Sequence, residues 1–286
     1  MTETFYAAME LVFRRSLALL FLTLLVSGVS VPKAWSEQGS TEPFDHSAWG
    51  QFLTKYVSPE GLVDYQGVKT SPELLNDYLD KVQSVPSILS MGEWPREENL
   101  AFFLNVYHAA VIKQIADAYP IKSIQDIPGV WDLAVIRIGK IKISINDIRS
   151  KFLIQNFRDE KIDTVLACGA KSCPRLVPEA FTGPRVEGQL YLRARKFVND
   201  PTYNMVIPGK KEIRIARIFK WYASNFKLDF GVLEKSEKFS DEEDAVIRFL
   251  AYYSDAVDKV QYLESRKYKI KYMPFDWSLN DWRRTG

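Results

Sequence analysis

The chain is poor in the residues from which metal and thiol chemistry is usually assembled. Of 286 residues only two are cysteine and two are histidine. A four-ligand Cys/His zinc centre would therefore need all of them to converge. An excess of one charge is missing too: 38 Lys and Arg against 36 Asp and Glu leave a formal charge of +2. Such a balance offers no overall field for a nucleic acid or a membrane surface. Glycine and proline, at 14 each, are too few for a collagen-like or low-complexity chain. The sequence holds no G-x-S-x-G, no G-x-x-x-x-G-K-[ST], no G-x-G-x-x-G, no H-E-x-x-H and no EF-hand loop. Seryl-hydrolase, nucleotide, dinucleotide and metal-protease readings fall away with them, and neither a cofactor nor a metal is expected. What remains is an ordinary globular composition, 47% hydrophobic, with ample apolar mass for a core.

Long apolar runs are scarce, and the one present is at the start. Arg14 and Arg15 precede Ser16–Ser30, and Ala34-Trp35-Ser36 then offers small residues ahead of polar Glu37-Gln38-Gly39-Ser40. That order is charged n-region, apolar h-region and cleavage site of a secretory signal peptide. The run is shorter than the roughly 20 apolar residues of a spanning helix. The reading is a signal peptide over 1–36, a short polar leader over 37–44 and a single domain over 45–286. Export to the periplasm or beyond is expected, with no stable membrane span after cleavage. Outside the cytosol a disulfide persists, which opens the possibility that Cys168 and Cys173 are paired.

Periodicity predicts an α+β domain, mostly helical. Ser71-Pro72-Glu73 starts a helix that carries Leu75, Tyr78, Leu79 and Val82 on one face. A second helix is predicted over 97–119, stopped by Pro120; its centre, 100–112, is apolar all round and so buried. Val135–Ser144 reads as a hairpin turning at Gly139-Lys140. Further helices are predicted at 145–157, 184–198, 217–226 and 241–254, the last with Ser240 and Glu243 as a capping box. Asp163–Cys168 reads as a short buried strand and Tyr268–Tyr272 as an edge strand.

Two places break this bland pattern. Asn105 and His108 stand at i and i+3 in the buried helix, and a buried amide or imidazole must find hydrogen-bond partners. They either satisfy loop backbone or form a polar pocket wall, with His108 as a base and Asn105 as its orienter or an oxyanion donor. The second place is Cys168-Gly-Ala-Lys-Ser-Cys173-Pro-Arg175. The two sulfurs read as a disulfide, as inert thiols, or as a reactive Cys168 at the end of a buried strand. Lys171 and Arg175 nearby are candidates for binding an anionic group. Of the two histidines, His46 follows Asp45 near a helix start and reads as a surface or cap residue, which leaves His108 as the base for a nucleophilic Cys168.

Several segments carry a resemblance. Ala101–Ala109, Tyr119–Ile124, Trp131-Asp132, Lys142–Ser144, Cys168–Pro174, Phe219–Tyr222 and Asp276–Asn280 follow one another in the order found in the family named domain of unknown function 547. Phe44–Ser47 and Val63–Tyr65 resemble its bacterial exported members. The resemblance implies an exported protein of unassigned activity. It also implies two departures. The family's Asn-x-Tyr-Asn stands here as Asn105, Tyr107 and His108, and its Glu-His pair after the hairpin stands as Arg149-Ser150. Two functions are carried forward. One is a papain- or transglutaminase-like thiol hydrolase or acyltransferase, with Cys168 the nucleophile, His108 the base and Asn105 the orienter. The other is a non-enzymatic envelope binding or assembly module with a Cys168–Cys173 disulfide. The partner in either case is a small molecule, a peptide or an envelope protein, and not a nucleic acid.

Overall fold

A computed structural model of the chain describes residues 42–85, 93–231 and 237–284. The expected signal peptide, 1–36, and most of the expected leader, 37–44, lie outside these residues. The compact unit is Glu42–Gly286, and it is built around two apolar cores.

The first core forms on the helices of the N-terminal half. Helix α1, Ser47–Tyr56, buries Trp49, Phe52, Leu53 and Tyr56. Helix α2, Tyr65–Thr70, starts where the Asp64 carboxylate accepts the Gly67 N–H at 2.9 Å. Helix α3, Glu73–Ser84, begins one residue beyond Pro72 and turns Leu75, Tyr78 and Val82 inward. Helix α4, Arg96–Ala118, runs through the middle of this core and is buried on every side from Leu100 to Ile112, as its unbroken apolar sequence requires. Strands β1, Ile136–Ile138, and β2, Ile141–Ile143, form the hairpin expected from the sequence, with Gly139 at φ 56 in its turn.

Helix α5 spans 145–157 and opens on a capping box between Ser144 and Asp147. Its middle, Ile148–Ile154, runs as π rather than α turns, and Arg158 at φ 51 ends it. Such wide turns are uncommon and concentrate at functional sites.

The second core lies behind helix α6, Val186–Asn199, and a three-stranded sheet. Strand β3, Met205–Ile207, pairs antiparallel with β4, Glu212–Ile215. The stretch expected as one helix over 217–226 is instead helix α7, Ile218–Trp221, a 3-10 turn at Ala223–Phe226 and helix α8, Lys227–Phe230. Helix α9, Asp241–Tyr252, keeps the expected Ser240–Glu243 capping box, and helix α10, Val257–Glu264, packs beside it. Strand β5, Lys269–Tyr272, adds to the edge parallel to β4, with Lys269 and Lys271 facing solvent. The class is thus α+β, mostly helical with two small sheets. Among the described residues no helix is long and apolar enough to cross a membrane.

One expected strand is absent. Residues 163–167 are buried as foreseen, but Ile162–Thr164 is a 3-10 turn, Val165 is not extended (φ −121, ψ −10) and 166–168 join no ladder. The N–H that a neighbouring strand would have received goes instead to a side chain of helix α4, since Ala167 donates to His108 Nε2 at 3.1 Å.

The chain beyond β5 returns to the first core. Leu279 donates to Lys122 and Asn280 to Gly169, while Lys171 donates to Ser278 and Ser172 to Asp276. The Tyr65 hydroxyl donates to Asn280 Oδ1 at 2.7 Å. These bonds fix 276–280 alongside the loop that holds the two cysteines.

Candidate functional site

Where the two cores meet, a cleft of about 320 Å³ opens, within the size range of small-molecule sites. Cys168 and Cys173 line it together, and they are joined as a disulfide with Cα atoms 5.6 Å apart. Gly169 lets the chain turn directly after Cys168. It sits at φ +79, and a Cβ there would collide with Ile115 Cδ1 of helix α4. Cys168 is half-buried and Cys173 is buried.

The floor is a charged pair. Arg149, on the π stretch of α5, donates to Asp163 Oδ1 from Nε at 3.1 Å and from Nη2 at 2.6 Å. Asn225 Nδ2 donates to the other carboxylate oxygen at 2.6 Å. Three hydrogen bonds from N–H groups favour the ionised form of a carboxyl. Burial pushes the Asp163 carboxyl up from its ordinary value, against the charge of Arg149 and the hydrogen bond from Asn225. Burial works against the Arg149 guanidinium more than any other single influence, but the charge and hydrogen bonds of Asp163 together with the nearby Tyr222 and Tyr107 hold the group above its usual value. The two ends differ in access: the Asp163 side chain is 1% exposed and that of Arg149 18%. The Tyr222 ring lies 3.5 Å beneath the guanidinium, a cation–π contact. Tyr107, from α4, completes the floor. Burial, and then the proximity of Tyr222, raises its phenol well above the ordinary value.

The upper wall is aromatic. Trp221, Phe275 and Trp277 form one cluster, with ring centroids 4.4 to 5.9 Å apart. Trp221 is 45% exposed and lines the cleft. Trp131 and Asn146 line the same cleft, and Asn146 Nδ2 donates to Asp132 at 2.7 Å.

The residues singled out from sequence are placed as follows. Asn105 makes a two-way pairing with one loop residue, donating to the Phe181 carbonyl at 2.8 Å and accepting its N–H at 3.0 Å. His108 accepts the Ala167 N–H, which makes Nε2 the unprotonated ring nitrogen, and the Val165 carbonyl lies 3.2 Å away. Burial drives its pKa down to about 3, so the ring is neutral. Asn105 and His108 thus act as short stand-ins for a strand edge, each satisfying a buried loop backbone. Neither lines the cleft that holds Cys168. His46, expected as a surface or cap residue, stands at the N-cap position of α1 without a side-chain cap bond, and it is buried: its Nδ1 meets the Tyr78 hydroxyl at 3.0 Å, and burial lowers its pKa to about 4. Lys171 and Arg175 line a separate pocket behind Cys173. There Arg175 Nε is committed to Asp200 at 3.3 Å and Nη1 to the Glu60 carbonyl at 3.2 Å, which leaves little of its charge for an anion, while Lys171 is exposed. Among the described residues no group of three or more His, Cys, Asp or Glu is arranged to hold a metal ion.

The charged floor was missed by sequence reading. Its signal was an acid, Asp163, inside an otherwise apolar buried stretch, which must find a cation. The aromatic wall appeared only as short segments far apart in the chain.

Residues 91–198 match a family model described as protein of unknown function, DUF547. The matched segment holds α4, the hairpin, Arg149, Asp163 and the disulfide. Trp221, Tyr222, Phe275 and Trp277 lie beyond it. No curated protein and no solved structure matches the chain.

Proposed function

We propose that this chain is an exported binding module whose cleft takes a small ligand, rather than a thiol hydrolase or acyltransferase. The observation that carries the reading is the disulfide: the cleft meets a bonded sulfur pair, and no imidazole lines it. Nucleophilic catalysis by Cys168 needs a thiolate and a base within hydrogen-bond reach, and His108 is neutral and engaged by Ala167. A concave site with an aromatic wall and a few converging polar groups suits noncovalent recognition. Export is supported by the charged and apolar pattern over 1–36, and by a disulfide that persists only in an oxidising compartment.

The test is a thermal-shift screen of the oxidised protein against sugars, organic acids and short peptides, repeated on Trp277→Ala. Binding lost in the variant supports the reading. Turnover of a thioester or amide probe by oxidised protein, abolished in Cys168→Ala, would overturn it. Cell fractionation with sequencing of the mature N-terminus tests export, and a cytosolic chain beginning at Met1 or Met9 would contradict it.

A further inference from the structure

The cleft's polar groups narrow what it can hold. Arg149 uses Nε and Nη2 on Asp163, and its Nη1 makes no hydrogen bond among the described residues. The same is true of the Tyr107 and Tyr222 hydroxyls. Both phenols are raised by burial and remain neutral donors and acceptors. One cleft therefore gathers an unclaimed guanidinium edge and two unclaimed hydroxyls beneath a wall of three clustered aromatic rings. Unclaimed polar groups of this kind need a partner, water or ligand. Resting on the binding reading above, we propose that the ligand is an acidic saccharide, a pyranose chain bearing carboxylates.

Each part of that ligand answers a feature of the cleft. The face of a pyranose ring is a set of C–H bonds polarised by the ring oxygens, and it is attracted to the negative face of an indole. Trp221, partly exposed and flanked by Phe275 and Trp277, offers such a face. The hydroxyls around the ring match the Tyr107 and Tyr222 hydroxyls, which can each donate and accept. The carboxylate matches Arg149 Nη1 in a charge-assisted bond. Asp163 and Asn225 fix the guanidinium from behind, so little ordering is required on binding. A cationic ligand is disfavoured, because the one carboxylate of the floor is sealed at 1% exposure behind Arg149.

The experiment titrates oxidised full-length protein with oligomers of galacturonate, glucuronate and mannuronate, with neutral galactose and mannose oligomers, and with benzoate. Binding is followed by tryptophan fluorescence and calorimetry. At least one oligouronate is expected to bind about tenfold or more tighter than its neutral counterpart, the scale of one charge-assisted bond. Arg149→Lys keeps a cation for Asp163 but loses Nη1, and is expected to erase that preference. Trp277→Leu is expected to weaken binding of both acidic and neutral oligomers, with circular dichroism confirming that each variant folds. Equal binding of acidic and neutral oligomers, or a preference that survives in Arg149→Lys, would overturn the carboxylate assignment. Binding of benzoate with no saccharide bound would overturn the saccharide class while leaving the binding module standing. A chain that binds none of these, nor any compound of the thermal-shift screen, would remove both.

Discussion

Replacing Arg149 with Met removes two of the three hydrogen bonds to Asp163 and leaves a carboxylate that is 1% exposed with only the Asn225 amide. Breaking one side of a buried ion pair costs about 3–5 kcal/mol. The structure sets an upper limit on that cost, because Asp163 can escape it by taking up a proton. At pH 7, protonating a carboxyl of ordinary pKa near 3.9 costs about 4 kcal/mol, and at pH 5 about 1.5 kcal/mol. The penalty in Arg149→Met is therefore expected to be about 4 kcal/mol at pH 7 and to shrink as pH falls. The sign is fixed by linkage. The folded variant binds a proton that the unfolded chain has released, so its stability drops as pH rises from about 4 to 7. For a chain of this size the loss at pH 7 corresponds to a melting temperature lower by about 10 °C. Asp163→Asn should cost less, about 1–2 kcal/mol, because Arg149 is 18% exposed to the cleft and keeps the Tyr222 face. Thermal unfolding of both variants at pH 5, 6 and 7 is the assay. Equal penalties for the two, or an Arg149→Met penalty that does not change with pH, would refute the reasoning.

Reducing the Cys168–Cys173 bridge, which closes a five-residue separation, is expected to cost about 2 kcal/mol by loop entropy, and scanning calorimetry with and without reductant reads it; an unchanged melting curve would contradict it. Asn105→Leu strips partners from both the N–H and the carbonyl of buried Phe181, so urea unfolding should show a loss of about 2–4 kcal/mol. Both imidazoles are depressed by burial, to about 4 for His46 and about 3 for His108. Below pH 6.5 the unfolded chain takes up protons that the folded one refuses, so stability falls toward pH 4, and His108→Gln should flatten that acid limb in a pH series of melting curves. Burial, and then a hydrogen bond with Asp229, raises Glu160 to about 7, which removes stability as pH climbs from about 4.5 through 7; Glu160→Gln is expected to unfold at higher denaturant than the parent at pH 8 and at the same concentration near pH 4.

Local chemistry made most of the helices legible. The Ser240–Glu243 box, the all-apolar centre of α4 and the Gly139 turn each act within a few residues, and each appears where expected. Asp163–Cys168 failed as a strand because burial is visible in sequence but the hydrogen-bond partner is not. An imidazole 59 positions away supplies what a neighbouring strand would. Strands β3 and β4, at three and four residues, are too short to show alternation. The cysteines were legible as a pair, and Cys168 as a residue facing a cleft, though with Asn105 and His108 expected beside it. That cleft assembles Tyr107, Arg149, Asp163, Trp221 and Trp277, and long-range convergence of this kind leaves no periodic trace. Arg149 stood out as a departure from the resembled pattern. Its partner Asp163 gives the departure a physical role.

The most direct measurement is intact mass after brief native alkylation of protein isolated from an oxidising compartment. A chain two hydrogens lighter than its reduced form, with no label, is the expected result and places a closed disulfide in the wall of the cleft. A single rapid label at Cys168 would contradict the account, because it would put an activated thiol where a bonded sulfur is required.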